Sequence, residues 1–226
     1  MWCIPELNPE FIERMEDVLR LYEKPYSAAE PVVCLDEKPV QCLADLKVPI
    51  RVKNGSVRRD YEYVRHGTAN VFCVVEPKAG RHLTRATRNR KHPAFATLLR
   101  RIAAAYRDAD TIHLVMDNLS THTEASLQRA LGQREGSRLG ARFTPHYTPK
   151  HGSWLNQAEI AISIFSRQCL GKRRIASLSD LKRETLAWCR RTDRNRLCIH
   201  WKFTVRKARA KFKYTRCRGK IILSGN

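Results

Sequence analysis

The 226-residue sequence predicts a mixed α/β domain built around one central sheet. Three observations predict it. Residues 32–36 and 112–117 are short apolar runs rich in branched side chains, each read as a buried strand that ends on an acid. Residues 9–23, 93–107 and 178–190 repeat apolar positions at helical spacing. Strand-like and helix-like segments also alternate along the chain, which is the pattern of a layered α/β fold. The length suffices for one sizeable hydrophobic core and not clearly for two.

The elements follow in order. Asn8 and Pro9 are placed to cap and open a helix over 9–23, with Phe11, Met15, Val18, Leu19 and Tyr22 on one face. Pro25 and Pro31 bracket a connector to the strand at 32–36. Residues 45–60 read as a basic loop. Residues 61–65 and 69–75 read as two paired strands joined around Gly67, and Pro77 and Gly80 break the pattern after them. A helix over 93–107 precedes the strand at 112–117. Residues 122–131 suggest a helix and 141–147 a further strand. A loop at 148–156 leads into a largely buried helix over about 155–169, and 178–190 forms another with Leu181, Thr185 and Trp188 inward. The organisation expected is a linker helix in 1–30, a main α/β domain in 31–200 and a basic segment in 201–226.

Charge narrows the function. Lys and Arg number 43 against 22 Asp and Glu, giving a net charge of +21. The excess is uneven: residues 1–30 carry three basic and seven acidic groups, while 166–226 carry 19 basic and three acidic. Such a field attracts polyanions and fits contact with nucleic-acid phosphates. No run approaches the roughly 18 apolar residues of a membrane helix, and the acidic N-terminus is no signal peptide. The eight cysteines form no C-x-x-C pair and no zinc-spaced cluster, so they read as small buried hydrophobes in a reducing cytoplasm.

The chemistry rests on acids. Asp36 and Asp117 each directly follow a buried-looking strand, and ligand sites in α/β sheets gather at the carboxyl ends of strands. If the two strands are parallel neighbours, both carboxylates point to one place. Glu159 lies near the start of the 155–169 helix, where a carboxylate among apolar neighbours needs a partner; an Arg or Lys would serve as well as a metal ion. Three carboxylates suit Mg²⁺ or Mn²⁺, and two such ions about 3.5–4 Å apart serve in-line displacement at phosphorus.

The segments VVCLDEKP, TIHLVMDNLSTH and HYTPKHGSWLNQAEI, in that order, resemble the three signature blocks of DDE transposases. Specifically, they are similar to the bacterial insertion-sequence branch of the mariner-like superfamily. Asp117 follows Asp36 by 81 residues and Glu159 follows Asp117 by 42, intervals that fit the family. RDYEYVRHGTANVFCVVEP and WKFTVRKARAKF also look typical of that branch. The resemblance implies an RNase H-like fold, metal binding by Asp36, Asp117 and Glu159, cleavage at transposon ends by water, and attack of the freed 3′-hydroxyl on target DNA. It also implies DNA as the partner, a homodimer on that DNA, and a bacterial cytoplasm with nucleoid association.

Five further residues lie in or beside the signature blocks. Glu37 either hydrogen-bonds behind the ligands or faces solvent. His122 and His151 either touch a phosphate, orient a carboxylate or satisfy a loop; Asn118 and Asn156 are their companions. Lys150, Lys202, Arg206, Lys207, Arg209, Lys211 and Lys213 are expected to contact DNA backbone, a solvated basic face being the alternative. Related transposases carry a helix-turn-helix before the catalytic domain, and the acidic 9–23 helix does not suit a major groove. A catalytic half lacking that region is therefore expected, and residues 215–226 match no family pattern. A nuclease without strand transfer and an inactive DNA-binding remnant are the competing readings.

Overall fold

A computed structural model of the protein describes residues 7–53, 55–217 and 220–223. Helix α1 (Pro9–Glu23) has the expected bounds: Asn8 Oδ1 accepts from Phe11 N at 2.8 Å and Pro9 opens the first turn. Its apolar stripe is wider than the spacing suggested, with Phe11, Ile12, Met15, Val18, Leu19, Leu21 and Tyr22 all buried.

Strand β1 (Val32–Asp45) runs on well past Asp36. The stretch read as a loop, 45–60, contains a small hairpin of β2 (Ile50–Arg51) and β3 (Val57–Arg58). The hairpin expected around Gly67 does not exist. Residues there form one strand, β4 (Tyr63–Glu76), paired antiparallel along β1. Gly67 adopts φ +88°, and the register slips where Gln41 and Leu43 face Thr68 and Arg65. A glycine in that region supplies a bulge without ending the strand. The chain turns instead at 77–80 and returns as β5 (Arg81–Thr87), a strand the sequence reading missed. Its buried face carries His82, Thr84 and Ala86, so apolar alternation is absent.

Helix α2 (His92–Ala105) leads to β6 (Ile112–Met116), α3 (Glu124–Leu131), α4 (Gln133–Gly140) and β7 (Phe143–Tyr147). Helix α4 was not anticipated because two glycines weaken its propensity. Gly136 has a packing reason: a Cβ there would lie 2.5 Å from Gln128 Cα in α3. The expected 155–169 helix is divided into a 3₁₀ turn (Ser153–Leu155), α5 (Ala158–Phe165) and a π turn (Ser166–Leu170). Asn156 makes the first break, since its side-chain oxygen takes the Ala158 N–H at 3.1 Å. Helix α6 (Leu178–Asn195) buries Leu181, Thr185 and Trp188 as expected, with Thr192. Helix α7 (Val205–Phe212) and the hairpin of β8 (Tyr214–Cys217) and β9 (Lys220–Leu223) complete the fold.

The five-stranded sheet has the order β5-β4-β1-β6-β7. β1 is antiparallel to β4 and parallel to β6, and β7 is parallel to β6, so the sheet is mixed and flanked by helices as predicted. Alternation along β1 separates two cores. Val33 and Leu35 pack against α2, α3 and α4, whereas Cys34 packs against α1, α5 and α7. A third core joins the antiparallel strands to Phe165, Leu181 and Trp188.

The two ends of the chain close on one acid. Glu16 has no exposed surface and receives Arg209 at 2.8 and 3.1 Å, Tyr214 Oη at 3.1 Å, and Arg20. Glu23 also accepts from Val205 N at 2.6 Å, at the start of α7. Helix α1 and the basic C-terminal segment thus share one core. Cys34, Cys42, Cys73 and Cys169 are buried free thiols, Cys189 is half-buried and Cys198 is exposed; the side chains of Cys3 and Cys217 lie outside the described set. Among the described residues no helix is long and apolar enough to cross a membrane.

Candidate active site

The parallel register decides where the acids meet. Val32, Val33 and Cys34 stand opposite His113, Leu114 and Val115. That offset is the same 81 residues that separate Asp36 from Asp117, so two steps further along the two aspartates come level. Parallel neighbours lie about 4.8 Å apart. Asp117 follows the carboxyl end of β6, while Asp36 lies within β1, two residues past the last pair of the β1–β6 ladder, which corrects the expectation of a strand ending on that acid.

Asp36 shares the sheet face of Cys34, toward α5. Its Oδ1 accepts from Glu37 N at 2.7 Å, and its Oδ2 lies 3.3 Å from Asn156 Nδ2. Asn156 is 2% exposed and also donates to the Leu35 carbonyl at 2.8 Å. It therefore ties the end of β1 to the start of α5, which carries Glu159 in its first turn. The Asp36 carboxyl is pushed up to about 7, first by burial and then by the negative charges of Glu159, Asp117 and Glu37, against the stabilising Glu37 N–H. Glu159 itself is exposed at the rim, with Ile160 and Ser163, so the helix expected to be largely buried has one open face.

Glu37 points to the opposite face, where it meets His122. His122 Nε2 lies 2.8 Å from Glu37 Oε1, and Nδ1 lies 2.7 Å from Asp117 Oδ1 and 3.2 Å from the Asp117 carbonyl. His122 is 1% exposed. The Phe95 ring stacks on it at 4.7 Å, and Tyr147 Oη donates to its carbonyl at 2.9 Å. Burial opposes its charge, but its contacts with Asp117 and Glu37 outweigh that and raise its pKa to about 9. Donor atoms of Glu37, Asp117 and His122 all lie within 4.8 Å of one another. Helical spacing places Phe95 on the apolar face of the 93–107 helix and Tyr147 falls in the third signature block, but nothing in the sequence ties either to His122.

Asp117 also opens on a cleft of about 740 Å³ that Asn118, Lys150 and His151 line with Glu10 and Arg14 of α1. Asn118, Lys150 and His151 are all exposed. His151 holds the left-handed region at φ 62°, an uncommon conformation for a residue with a side chain. The basic segment divides. Lys202, Arg206, Lys207, Lys211 and Lys213 are exposed, while the Arg209 guanidinium is committed to Glu16, so its assignment to a DNA face is withdrawn.

The chain is similar in fold to crystal structures of the Mos1 mariner transposase. The paired-end complex with Mn matches with TM-score 0.55 at 14% identity, over 87% of this chain and 60% of that one. The strand transfer complex matches with TM-score 0.56 at 15% identity, over 87% and 59%. The pre-cleavage transpososome matches with TM-score 0.54 at 14% identity, over 84% and 58%. The chain thus spans about 60% of the length of the Mos1 chains, and the shared architecture is the RNase H-like one. No curated protein matches the sequence. The family described as DDE superfamily endonuclease matches residues 31–182, from the edge of β1 into α6 and across all three acids. By that match, which runs over more than half of its length, the chain belongs to the DDE superfamily of endonucleases.

Proposed function

We propose that the chain is the catalytic domain of a metal-dependent DNA transposase of the bacterial insertion-sequence, mariner-like kind. In this reading Asp36, Asp117 and Glu159 hold two Mg²⁺ or Mn²⁺ ions. One observation carries it: Asp36 is half-buried among three other acids, and while His122 pairs with Glu37 and Asp117, no Lys, Arg or His among the described residues pairs with Asp36 or Glu159. The donors fit the ions, being carboxylate oxygens only, the hard ligands these metals prefer. When bound, the ions would supply Lewis acidity at the phosphate and lower the pKa of water.

The remaining work falls to the protein's own groups. Asn156 holds Asp36 and the start of α5 together, which fixes Glu159 relative to Asp36. Lys150 and His151, on the cleft wall beside Asp117, bind phosphate oxygens of the strand to be cut. Lys202, Arg206, Lys207, Lys211 and Lys213 hold the backbone of the duplex without reading its sequence. The Mos1 structures are of paired-end and strand transfer complexes; a homodimer on DNA, in a bacterial nucleoid, belongs to the same proposal.

The test uses purified chain, supercoiled plasmid and a pre-cut DNA end with a free 3′-hydroxyl. Metal-dependent joining is expected, and Asp36→Asn, Asp117→Asn and Glu159→Gln are each expected to lower it about 10³-fold or more. Nicking without joining would replace the proposal with a nuclease; salt-sensitive binding with neither would replace it with a remnant.

A further inference from the structure

We propose that His122, itself oriented by Glu37 through the sheet, is a positioning residue that fixes the rotamer of Asp117 and turns one carboxylate oxygen toward the metal ions. The inference rests on the reading of Asp117 as a ligand and extends it to two residues on the other face of β1. Asp36 and Glu37 are sequence neighbours, so the pleat sends their side chains to opposite faces. Glu37 is 2% exposed at its side chain and sits at the α2 face. The imidazole bridges from there to the end of β6, one nitrogen for each carboxylate.

The result at Asp117 is asymmetric. Its Oδ1 is buried against His122, yet the side chain as a whole is 40% exposed. The exposure therefore lies on Oδ2, which opens on the cleft. A carboxylate free to rotate would share both oxygens with solvent and lose conformational entropy on binding a cation. Here the fold has already fixed it: the Phe95 stack, the Glu37 hydrogen bond and the Asp117 carbonyl keep the imidazole from turning, and the Tyr147 hydrogen bond anchors the His122 backbone. The Glu37–His122–Asp117 cluster is not itself an ion site. Its N···O separations are 2.7 Å to Asp117 Oδ1, a close ion-pair contact beside the hydrogen bond from the same nitrogen to the Asp117 carbonyl, and 2.8 Å to Glu37 Oε1, a hydrogen bond, whereas an ion about 2.1 Å from both atoms would hold them roughly 3 Å apart or more. The two contacts also use opposite edges of one ring.

The experiment measures Mn²⁺ affinity of the full chain by calorimetry, with thermal melting in parallel. His122→Asn keeps an amide at the Nδ1 position and should retain Mn²⁺ affinity within about threefold, while His122→Gln reaches only toward Glu37 and should lose about tenfold or more, as other residues behind metal ligands do. Glu37→Gln, which still offers the ring a partner, should resemble wild type; Glu37→Ala, which keeps the Nδ1 contact but leaves the ring less well oriented, should fall between the two His122 variants. A role in packing alone would lower the melting temperature of both isosteres and leave their Mn²⁺ affinities equal, and that result overturns the proposal. Asp117→Asn is the control for the underlying reading. If it binds Mn²⁺ as well as wild type, the ligand assignment fails and the positioning role falls with it; if it does not, the two His122 variants decide the positioning role alone.

Discussion

Glu16 and Asp36 are both carboxylates drawn out of water, and their surroundings are opposite in sign. Around Glu16 the chain gathers Arg20, Arg209 and Tyr214, with Arg216 3.9 Å away. Burial alone would raise its pKa, but the hydrogen bond and charge of Arg209, then Arg20 and Tyr214, hold it below the ordinary carboxylate range. Around Asp36 the chain gathers more acids, and its carboxyl rises to about 7. A buried charge that the fold neutralises is architectural; one left without a cationic partner of its own raises the pKa of its group instead.

The comparison can be broken at either end. The largest effect is expected from Glu16→Gln, which strands partly buried cations: about 3 kcal/mol of stability lost at neutral pH, or roughly 10 °C in melting temperature. Glu16 has a depressed folded pKa, so its contribution is present above its unfolded value of 4.5 and is lost as pH falls. Asp36 has the other sign. Its folded pKa of about 7 exceeds its unfolded 3.8, so the metal-free chain loses stability as pH rises through that window. Asp36→Asn should therefore stabilise the metal-free protein at pH 8 by about 1–3 kcal/mol and flatten its melting profile between about pH 4 and 7. A melting temperature for Asp36→Asn below that of wild type at pH 8 would mean that the acids there are compensated after all.

The smallest effect separates neighbouring cations on α7. Arg206→Ala should reduce the slope of log affinity for DNA against log salt by about 1 and leave melting unchanged. Arg209→Ala should do the reverse, lowering the melting temperature while the salt slope stays put. Equal slopes for the two would place Arg209 on the DNA face as well as on Glu16.

These contrasts also explain what could be read in the chain of letters. The bounds of α1 were legible because cap, proline and apolar spacing agree at Asn8, Pro9 and Phe11. The mixed α/β class was legible because β1 and β6 are apolar on both faces. The level placement of Asp36 and Asp117 was legible only conditionally: the 81-residue interval becomes a register once the strands are known to be parallel neighbours. β5 was hidden because its inward residues are His82, Thr84 and Ala86, and the bulge at Gly67 looked like a turn because glycine serves both. The commitment of Arg209 to Glu16 spans 193 residues, and no local pattern distinguishes it from Arg206.

The pleat of β1 has a consequence for how such a chain can drift in length. Extra residues in the exposed connector at 88–91 lengthen the interval between the two aspartates and cost little beyond loop closure, about 0.6 kcal/mol per doubling, whereas the turn at 77–80 is held by the Ile199 N–H on the Pro77 carbonyl and has no room for a Cβ at Gly80. Within 32–35 the tolerance disappears. Removing a single residue there would bring Glu37 to the place of Asp36 and turn Asp36 to the α2 side, while every apolar neighbour changed layer with it. The spacing between the acids is elastic where the connector is exposed, but the parity of the strand that carries the first of them is not, and natural insertions and deletions in related chains should gather in exposed connectors such as 88–91 and avoid the strands and α2.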